Sequence, residues 1–317
     1  MKVFFTRTLP GNAVDLLIDK GFDVTVFGKD RQISKSELIK YAKDADGIVS
    51  LLSDKIDKEI LSKLDNCKII ANYAVGYNNI DIQAANEKNI VVTNTPDILT
   101  DATADIAMAL VLACSRNIVE GDKLVRDNKF TGWKPSLFLG VELKGKTFGI
   151  IGAGRIGYAT AQRAKAFGTK IVYFNRSRNE KLEKELGAKK VSLSTLMKTS
   201  DIVSVHLPLT KDTFQIVNKD MLQLLKNTAI VINTARGEVI DEKELIKMLK
   251  SKRIFSAGFD VYENEPSINK DLLKLKNVVL LPHLGSATKE ARENMALLCA
   301  KNVVNVLNGK KALTPVK

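Results

Sequence analysis

"TFGIIGAGRIGYATAQRAKAFG", residues Thr147–Gly168, is the segment that decides the fold of this chain. Its first five residues form an apolar run typical of a buried strand, and the rest carries small and apolar residues at helical spacing. Between the two parts lie Gly152, Gly154 and Gly157, in the spacing G-x-G-x-x-G. At a junction of strand and helix, this spacing predicts a turn that binds a dinucleotide.

Each glycine has a physical reason in such a turn. Gly152 permits the tight turn, and Gly154 lets the backbone approach a pyrophosphate at the helix N-terminus. Gly157 lets the helix pack closely on the strand. The residues predicted to contact the cofactor here are Gly152, Ala153, Gly154, Arg155, Ile156 and Gly157.

The end of the following strand bears on the choice of cofactor. An Asp or Glu at this point accepts hydrogen bonds from the ribose of NAD, but the sequence has Asn175, followed by Arg176, Ser177 and Arg178. Guanidinium groups attract a 2′-phosphate and grip it bidentately, whereas a carboxylate repels it. We therefore predict that NADP is preferred. The alternative, in which both arginines point to solvent and NAD is used as well, stays open.

Apolar runs alternate with amphipathic segments along most of the chain. In residues 1–95 the runs "KVFF", "DVTVF", "GIVSLL", "KIIA" and "IVVTN" are predicted to be buried strands, and a second alternating series begins at Lys146. This β-α-β alternation favours parallel sheets covered by helices. The predicted fold class is α/β, with two Rossmann/flavodoxin-like doubly wound parallel-sheet domains and a ligand-binding cleft between them.

Two long helical segments set the predicted domain boundaries. Residues 100–127 are predicted to form one long, mostly buried helix, because their apolar face is continuous from Ile106 to Val119. A second helix is predicted from Ser286 to near Gly309, crossing back to the first domain. We predict a discontinuous substrate-binding (lid) domain, 1–98 plus 288–317, and a dinucleotide-binding Rossmann domain, 99–287.

Composition disfavours several classes of partner. The net charge is +13, yet the lysines are scattered and no aromatic-basic pattern accompanies them, so we predict a solvated surface and no nucleic-acid partner. No apolar run reaches the roughly 18–20 residues of a membrane span, and "MKVFFTRTLPG" lacks a signal-peptide core. Cys67, Cys114 and Cys299 have no metal or redox spacing. We expect a cytoplasmic protein without a metal or a membrane partner.

Few residues are candidates for proton transfer near neutral pH, because the chain has only two histidines. His206 follows a predicted strand, and we interpret it as structural or cofactor-lining. His283 follows another strand and precedes Gly285. Arg236, between a buried strand and a glycine, is expected to bind an anion beside the dinucleotide site.

Several motifs resemble one enzyme family in both order and spacing. "GIIGAGRIG", "NTARGEVID", "GFDVYENEP" and "PHLGSAT" are similar to motifs of the D-isomer-specific 2-hydroxyacid dehydrogenases, and the resemblance covers essentially the whole chain. "LLSDKID", "GWKP" and "NRSR" most resemble the glyoxylate/hydroxypyruvate reductase branch. The resemblance implies NAD(P)H-dependent reduction of a small 2-keto acid to the D-2-hydroxy acid, in a homodimer.

The resemblance also implies catalytic roles. His283 would be the general acid that protonates the ketone oxygen, and Glu265 would hydrogen-bond its ring. Glu263 is the neighbouring carboxylate and is expected at the surface. Arg236 would bind the substrate carboxylate and polarise the carbonyl. Asp260 matches the residue that meets the nicotinamide carboxamide. The further cofactor contacts implied are Thr103, His206, Pro208, Thr234, Ala235, Arg236, His283 and Gly285.

The predicted substrate site draws on both domains. Backbone N–H groups around Val75 and Gly76 can hold a carboxylate, as a backbone nest holds an anion, and Leu51 and Leu52 would form an apolar wall. Trp133 resembles a residue that reaches a neighbouring subunit's pocket, although packing at a dimer contact is an open alternative. The predicted substrate contacts are Leu52, Val75, Gly76, Trp133, Arg236, His283 and Ser286.

Two other functions remain open at this point. The enzyme could reduce another 2-keto acid, of the 2-ketogluconate, phosphohydroxypyruvate or phenylpyruvate type, because the sequence does not determine loop shape. The protein could also be an NAD-sensing binding protein of the co-repressor type. The presence of Arg236, Glu265 and His283 together disfavours this second alternative.

Overall fold

The computed structural model describes residues 1–316. They form two compact units, one made of Met1–Leu99 together with the residues from Ser286 onward, the other of Thr100–Gly285. Each unit is a parallel sheet covered by helices, which confirms the predicted α/β class with two parallel-sheet domains.

The sheet of the first unit has five parallel strands in the order β2-β1-β3-β4-β5. The strand order switches between β1 and β3. At such a topological switch point, doubly wound sheets bind ligands at the carboxyl ends of the strands. The strands are β1 Lys2–Phe5, β2 Asp23–Val26, β3 Gly47–Leu51, β4 Ile69–Tyr73 and β5 Val91–Thr93. The helices are α1 Ala13–Asp19, α2 Lys35–Ala42, α3 Lys58–Ser62, α4 Ile82–Glu87 and the C-terminal helix α12 Lys289–Leu307.

One strand of this sheet is less buried than predicted. Every residue of the inner strand β4 is buried, but β2 alternates exposed and half-buried residues. The prediction of a buried strand for "DVTVF" was therefore wrong along most of its length. The reason is its place at the edge, where only β1 pairs with it.

The second unit has seven parallel strands in the order β12-β11-β10-β9-β6-β7-β8. The topology switches between β6 and β9, which places the loop after β6 at the expected dinucleotide site. The strands are β6 Thr147–Ile151, β7 Lys170–Phe174, β8 Lys189–Lys190, β9 Ile202–Val205, β10 Ile230–Asn233, β11 Ser256–Phe259 and β12 Val278–Leu280. The helices are α5 Thr100–Ser115, α6 Ile118–Arg126, α7 Arg155–Ala166, α8 Glu180–Leu186, α9 Leu193–Thr199, α10 Lys219–Gln223 and α11 Glu242–Lys250.

The predicted single helix over residues 100–127 is two helices. Asn117 adopts the left-handed conformation with φ 52°, which ends the hydrogen-bond ladder of α5, and α6 leaves at a bend of 66°. The first helix is largely buried, as predicted, but α6 has no buried residue. In residues 1–316 no single helix is long and apolar enough to span a membrane; only the bent pair α5–α6 has that length and composition.

The last helix also begins later than predicted. Its N-cap is Thr288, whose side chain accepts a hydrogen bond from the Ala291 N–H, so Ser286 lies outside the helix. Threonine satisfies one of the unpaired N–H groups of the first turn, which is why the helix begins after it. The helix packs against β3 and β4 of the first unit, and Gly309 beyond its end has a φ of 72°.

Candidate active site

The glycine-rich turn after β6 has the close packing that its spacing predicts. Gly152 has a φ of 96°, and a Cβ on it would lie 2.8 Å from the backbone carbon of His206. A Cβ on Gly157 would lie 2.1 Å from the Gly152 oxygen. These two glycines are therefore required by the protein's own packing.

Gly154 differs from its neighbours in the turn. It is the N-cap of α7, and a Cβ there would meet no atom within 4 Å. Its φ of −77° is accessible to any residue, so nothing in the protein itself requires a glycine. A bound pyrophosphate would supply that reason, because its approach to the helix N-terminus needs a bare backbone. The turn thus fits a dinucleotide.

Asn175 links the end of β7 to this turn. Its Oδ1 accepts a hydrogen bond of 3.3 Å from the Ala153 N–H, and its Nδ2 donates to the Ser177 carbonyl at 3.0 Å. Arg178 is paired with Glu183 at 2.7 Å. Arg176 is exposed, and its guanidinium forms no ion pair with any described residue. Of the two arginines predicted to bind a 2′-phosphate, Arg178 is therefore engaged in an ion pair with a described residue and Arg176 is not.

Two polar atoms in the residues that follow β9 and β10 lack a partner among residues 1–316. The His206 Nδ1 and the Thr234 Oγ1 are buried without a hydrogen bond to any residue in 1–316. Buried polar atoms are normally paired, so these two fit a polar ligand. The other ring nitrogen of His206 lies 2.9 Å from the Ser204 Oγ. Burial lowers the pKa of His206 to about 3, so the ring is neutral near pH 7.

Three neighbouring strands bring the predicted catalytic residues to one edge of the sheet. Arg236, Glu265 and His283 follow β10, β11 and β12, which are adjacent. The His283 Nδ1 lies 2.9 Å from the Glu265 Oε2. A carboxylate only accepts hydrogen bonds, so Nδ1 donates and Nε2 is the nitrogen left for a substrate.

Glu265 remains ionised in this arrangement. Burial acts to raise the pKa of its carboxyl, but the hydrogen bond with His283, the Tyr262 N–H at 2.9 Å and the charge of Arg236 lower it overall. Burial lowers the pKa of Arg236, and the carboxylates of Glu265 and Glu238 oppose that effect. The Arg236 Nη1 also donates to the Ala235 carbonyl at 2.7 Å.

Two predicted cofactor contacts hold the loop that follows His283. The buried Asp260 accepts hydrogen bonds from the N–H groups of Leu284 at 2.6 Å and Gly285 at 2.8 Å. Thr103 donates to the Gly285 carbonyl at 3.0 Å. His283 itself has a φ of 56°, a region that residues other than glycine seldom adopt. Asp260 and Thr103 thus stabilise the backbone that presents the imidazole.

Sequence reasoning missed two residues that support the glutamate loop. Tyr262 donates from its N–H to Glu265 and from its hydroxyl to the Leu281 carbonyl at 2.8 Å, which joins the loops after β11 and β12. Glu242 is buried and accepts a hydrogen bond of 3.0 Å from the Glu263 N–H. Its place at the start of an amphipathic helix gave no signal, because glutamates there are usually exposed.

The remaining predicted residues lie where their segments place them. Arg155 and Ile156 begin α7, Ser177 lies in the loop after β7, Pro208 follows β9 and Ala235 follows β10. Glu263, expected at the surface, is half-buried.

In the first unit Leu51 ends β3, Leu52 is exposed, and Val75 and Gly76 follow β4. Ser286 precedes α12, and Trp133 is 83% exposed in the irregular segment before β6.

No group of three or more His, Cys, Asp or Glu residues in 1–316 is arranged to hold a metal ion.

These features define a class of protein, an oxidoreductase with a Rossmann-type dinucleotide turn and an acid-base pair at the same edge of the sheet. Residues 108–285 match the family described as D-isomer specific 2-hydroxyacid dehydrogenase, NAD binding domain. The chain belongs to the D-isomer specific 2-hydroxyacid dehydrogenase family, which confirms the resemblance drawn from its motifs.

Similar proteins and structures agree with this assignment. The chain is 50% identical over 313 residues to a glyoxylate reductase of Thermococcus litoralis, covering 98% of this chain and 94% of that protein. It is 49% identical to one of Pyrococcus furiosus, covering 98% and 93%. An NADPH-dependent glyoxylate/hydroxypyruvate reductase of Sinorhizobium meliloti, solved with NADP and malonate, is similar with a TM-score of 0.88 and 32% identity, covering 99% and 96% of the two chains.

Proposed function

We propose that this protein reduces glyoxylate or hydroxypyruvate to the corresponding D-2-hydroxy acid, with NADPH as the preferred cofactor. The observation that supports this most strongly is the contact between Glu265 and His283, which follow β11 and β12. Arg236 follows β10, the neighbour of β11. The two glyoxylate reductases that are 50% and 49% identical to this chain support the choice of substrate.

The chemistry divides between cofactor and protein. A bound reduced dinucleotide supplies the hydride. His283 donates a proton from Nε2 to the ketone oxygen, while Glu265 holds the orientation of the ring through Nδ1. Arg236 binds the substrate carboxylate bidentately and polarises the carbonyl. Leu52, Val75, Gly76 and Ser286 complete the substrate site in this proposal.

The proposed preference for NADPH depends on the loop after β7. Asn175 carries no charge that would repel a 2′-phosphate, and Arg176 is exposed without an ion pair among the described residues. The NADP in the Sinorhizobium meliloti reductase supports the same choice. NAD remains a possible second cofactor, used with lower efficiency.

The proposed assembly is a homodimer in the cytoplasm, acting on a small acid rather than on nucleic acid or a membrane. Apolar side chains of α6 and the irregular segment before β6 are exposed, among them Val125, Trp133 and Leu139. A second copy of the chain would cover them. The three cysteines are free and buried, which fits a reducing compartment.

The direct test measures NADPH oxidation with a panel of 2-keto acids, by wild type and His283→Ala. We expect glyoxylate or hydroxypyruvate to have the highest kcat/KM, and kcat to fall by about 100-fold or more in the variant, since general acid catalysis contributes about 10²–10⁴-fold. An unchanged kcat would remove His283 from its role. Highest activity on a bulky 2-keto acid would favour the alternative substrates, and no activity on any of them would favour a binding protein.

A further inference from the structure

Three consecutive carbonyl groups in the loop after β4 are hydrogen-bonded to the protein. The Ala74 oxygen accepts from the Thr95 N–H at 2.9 Å. The Val75 oxygen accepts from the Asn94 Nδ2 at 2.8 Å, and the Gly76 oxygen accepts from the Asn72 Nδ2 at 2.9 Å. The orientation of three successive peptide planes is therefore determined by one backbone donor and two asparagine side chains.

Orienting these carbonyls also orients the N–H groups of the following residues. A trans peptide is planar, with its N–H antiparallel to its C=O, and the only cis peptide in residues 1–316 is Glu265–Pro266. Each N–H group of Val75, Gly76 and Tyr77 consequently points away from the donor that binds the carbonyl of the same peptide. Successive N–H groups that converge on one side of a turn form an anion-binding nest.

The same network reaches the loop after β3. The Asn79 Nδ2 donates to the carbonyls of Leu51 at 3.1 Å and Asp54 at 3.0 Å. The Asp54 carboxylate accepts the Leu51 N–H at 2.8 Å. Asn72, which is fully buried, hydrogen-bonds Asn79 at 3.2 Å. The loop with the apolar wall and the loop with the nest are thus held as one piece.

We propose that Asn72 and Asn94 are positioning residues, which orient the peptides of Val75 and Gly76 so that their N–H groups receive the substrate carboxylate. This inference rests on the proposed function, because it assigns the nest to the carboxylate of a 2-keto acid. Neither asparagine touches the substrate; each acts through the carbonyl that it binds. The carbonyls lie at the carboxyl end of β4, where ligands of doubly wound sheets bind.

The chemistry of asparagine explains the choice of residue. Its amide group is a neutral donor that fits a carbonyl oxygen, whereas an ionised aspartate at Asn94 would place a negative charge against the Val75 oxygen. Alanine would leave that oxygen unpaired, and the peptide could rotate to bind water. Either change should misdirect the Gly76 N–H.

The test compares Asn94→Ala and Asn94→Asp with wild type in the NADPH-dependent reduction of glyoxylate and hydroxypyruvate. We expect the KM for the 2-keto acid to rise about tenfold in Asn94→Ala, the size of a lost hydrogen bond to a charged group. The rise should be larger in Asn94→Asp. Neither kcat nor the KM for NADPH should change more than about threefold, because uniform binding of the carboxylate is lost rather than transition-state stabilisation.

Asn305→Ala is the matched control. The Asn305 Nδ2 also donates to a single carbonyl of the same unit, that of Lys311, but in the C-terminal segment. It should lose comparable thermal stability and keep the wild-type KM. The positioning role is overturned if the folded Asn94 variants keep the wild-type KM, or if Asn305→Ala raises it equally. A wild type that reduces no 2-keto acid would instead overturn the proposed function, and this role with it.

Discussion

At the scale of single residues, the two histidines show how environment divides one side-chain type into two roles. The His206 ring has one nitrogen beside Ser204 and the other buried without a partner among residues 1–316, so its charged form is disfavoured. His283 donates from Nδ1 to the carboxylate of Glu265, which leaves its Nε2 for the proton transfer that we propose. The two rings therefore differ in their partners, because only His283 is held by a carboxylate.

This difference predicts a pH dependence of stability. Burial lowers the pKa of His206 in the folded protein to about 3, whereas the unfolded value is about 6.5. As the pH falls below about 6.5, His206 becomes protonated in the unfolded chain but stays neutral in the folded protein. This residue therefore lowers the free energy of unfolding by at most about 1.4 kcal/mol for each pH unit. Urea unfolding between pH 7 and 5 should show a shallower decline for His206→Asn. Equal slopes for variant and wild type would contradict the assignment.

At the scale of elements, the loop after β7 shows that neighbouring arginines are not equivalent. The Arg178 guanidinium is engaged by Glu183, whose other carboxylate oxygen accepts the Tyr173 hydroxyl at 2.6 Å. These hydrogen bonds lower the pKa of Glu183, which therefore stays ionised and keeps its partner. Arg176, two residues earlier, has no such partner among the described residues. We therefore expect binding of the 2′-phosphate of NADPH to depend more strongly on Arg176 than on Arg178.

This inequality predicts the kinetics of two variants. We expect Arg176→Ala to lower kcat/KM for NADPH by about tenfold or more, the size of a charge-assisted hydrogen bond, and Arg178→Ala to lower it less. Steady-state kinetics with NADPH and NADH checks this, and kcat/KM for NADH serves as the internal control because NADH lacks the phosphate. A tenfold preference of the wild type for NADH would refute the proposed cofactor.

At the scale of the whole molecule, eight of the seventeen large apolar side chains that are exposed in residues 1–316 lie in one stretch of the second unit, residues 118–139. α6 is amphipathic but has no buried residue, and the segment that follows exposes Phe130, Trp133 and Leu139. Surfaces of this kind usually mark an interaction site. A helix with an unburied apolar face gains stability only by packing against another surface, and a second copy of the chain provides one in our proposal.

A mutation of this surface should change the oligomeric state. We expect sedimentation equilibrium of the wild type to give about twice the chain mass of 34.9 kDa, and Val125→Asp combined with Leu139→Asp to give the single mass, since buried charges are costly. Leu273→Asp, also at an exposed position but outside this region, is the control and should not dissociate the protein. A monomeric wild type would contradict the proposal. If Trp133→Ala raises the KM without dissociation, the tryptophan contributes to a neighbouring active site.

The sequence by itself determined the fold class, the dinucleotide turn and the residues that should meet at one edge of the second sheet. These features depend on local chemistry: apolar runs form strands, glycines permit close approaches, and parallel strands bring their carboxyl ends to the same edge. The pairing of Glu265 with His283 was implied by the resemblance of the motifs to the 2-hydroxyacid dehydrogenases, and the structure places the two side chains in contact.

Only the tertiary structure decided which polar groups find partners. The break at Asn117, the pairing of Arg178 with Glu183, the clamp by Asp260 and the carbonyls held by Asn72 and Asn94 all depend on contacts absent from local patterns. The physical reason is that a hydrogen bond requires donor and acceptor within about 3 Å at the correct angle. Packing between elements sets that geometry, whereas a sequence pattern specifies only which groups are available.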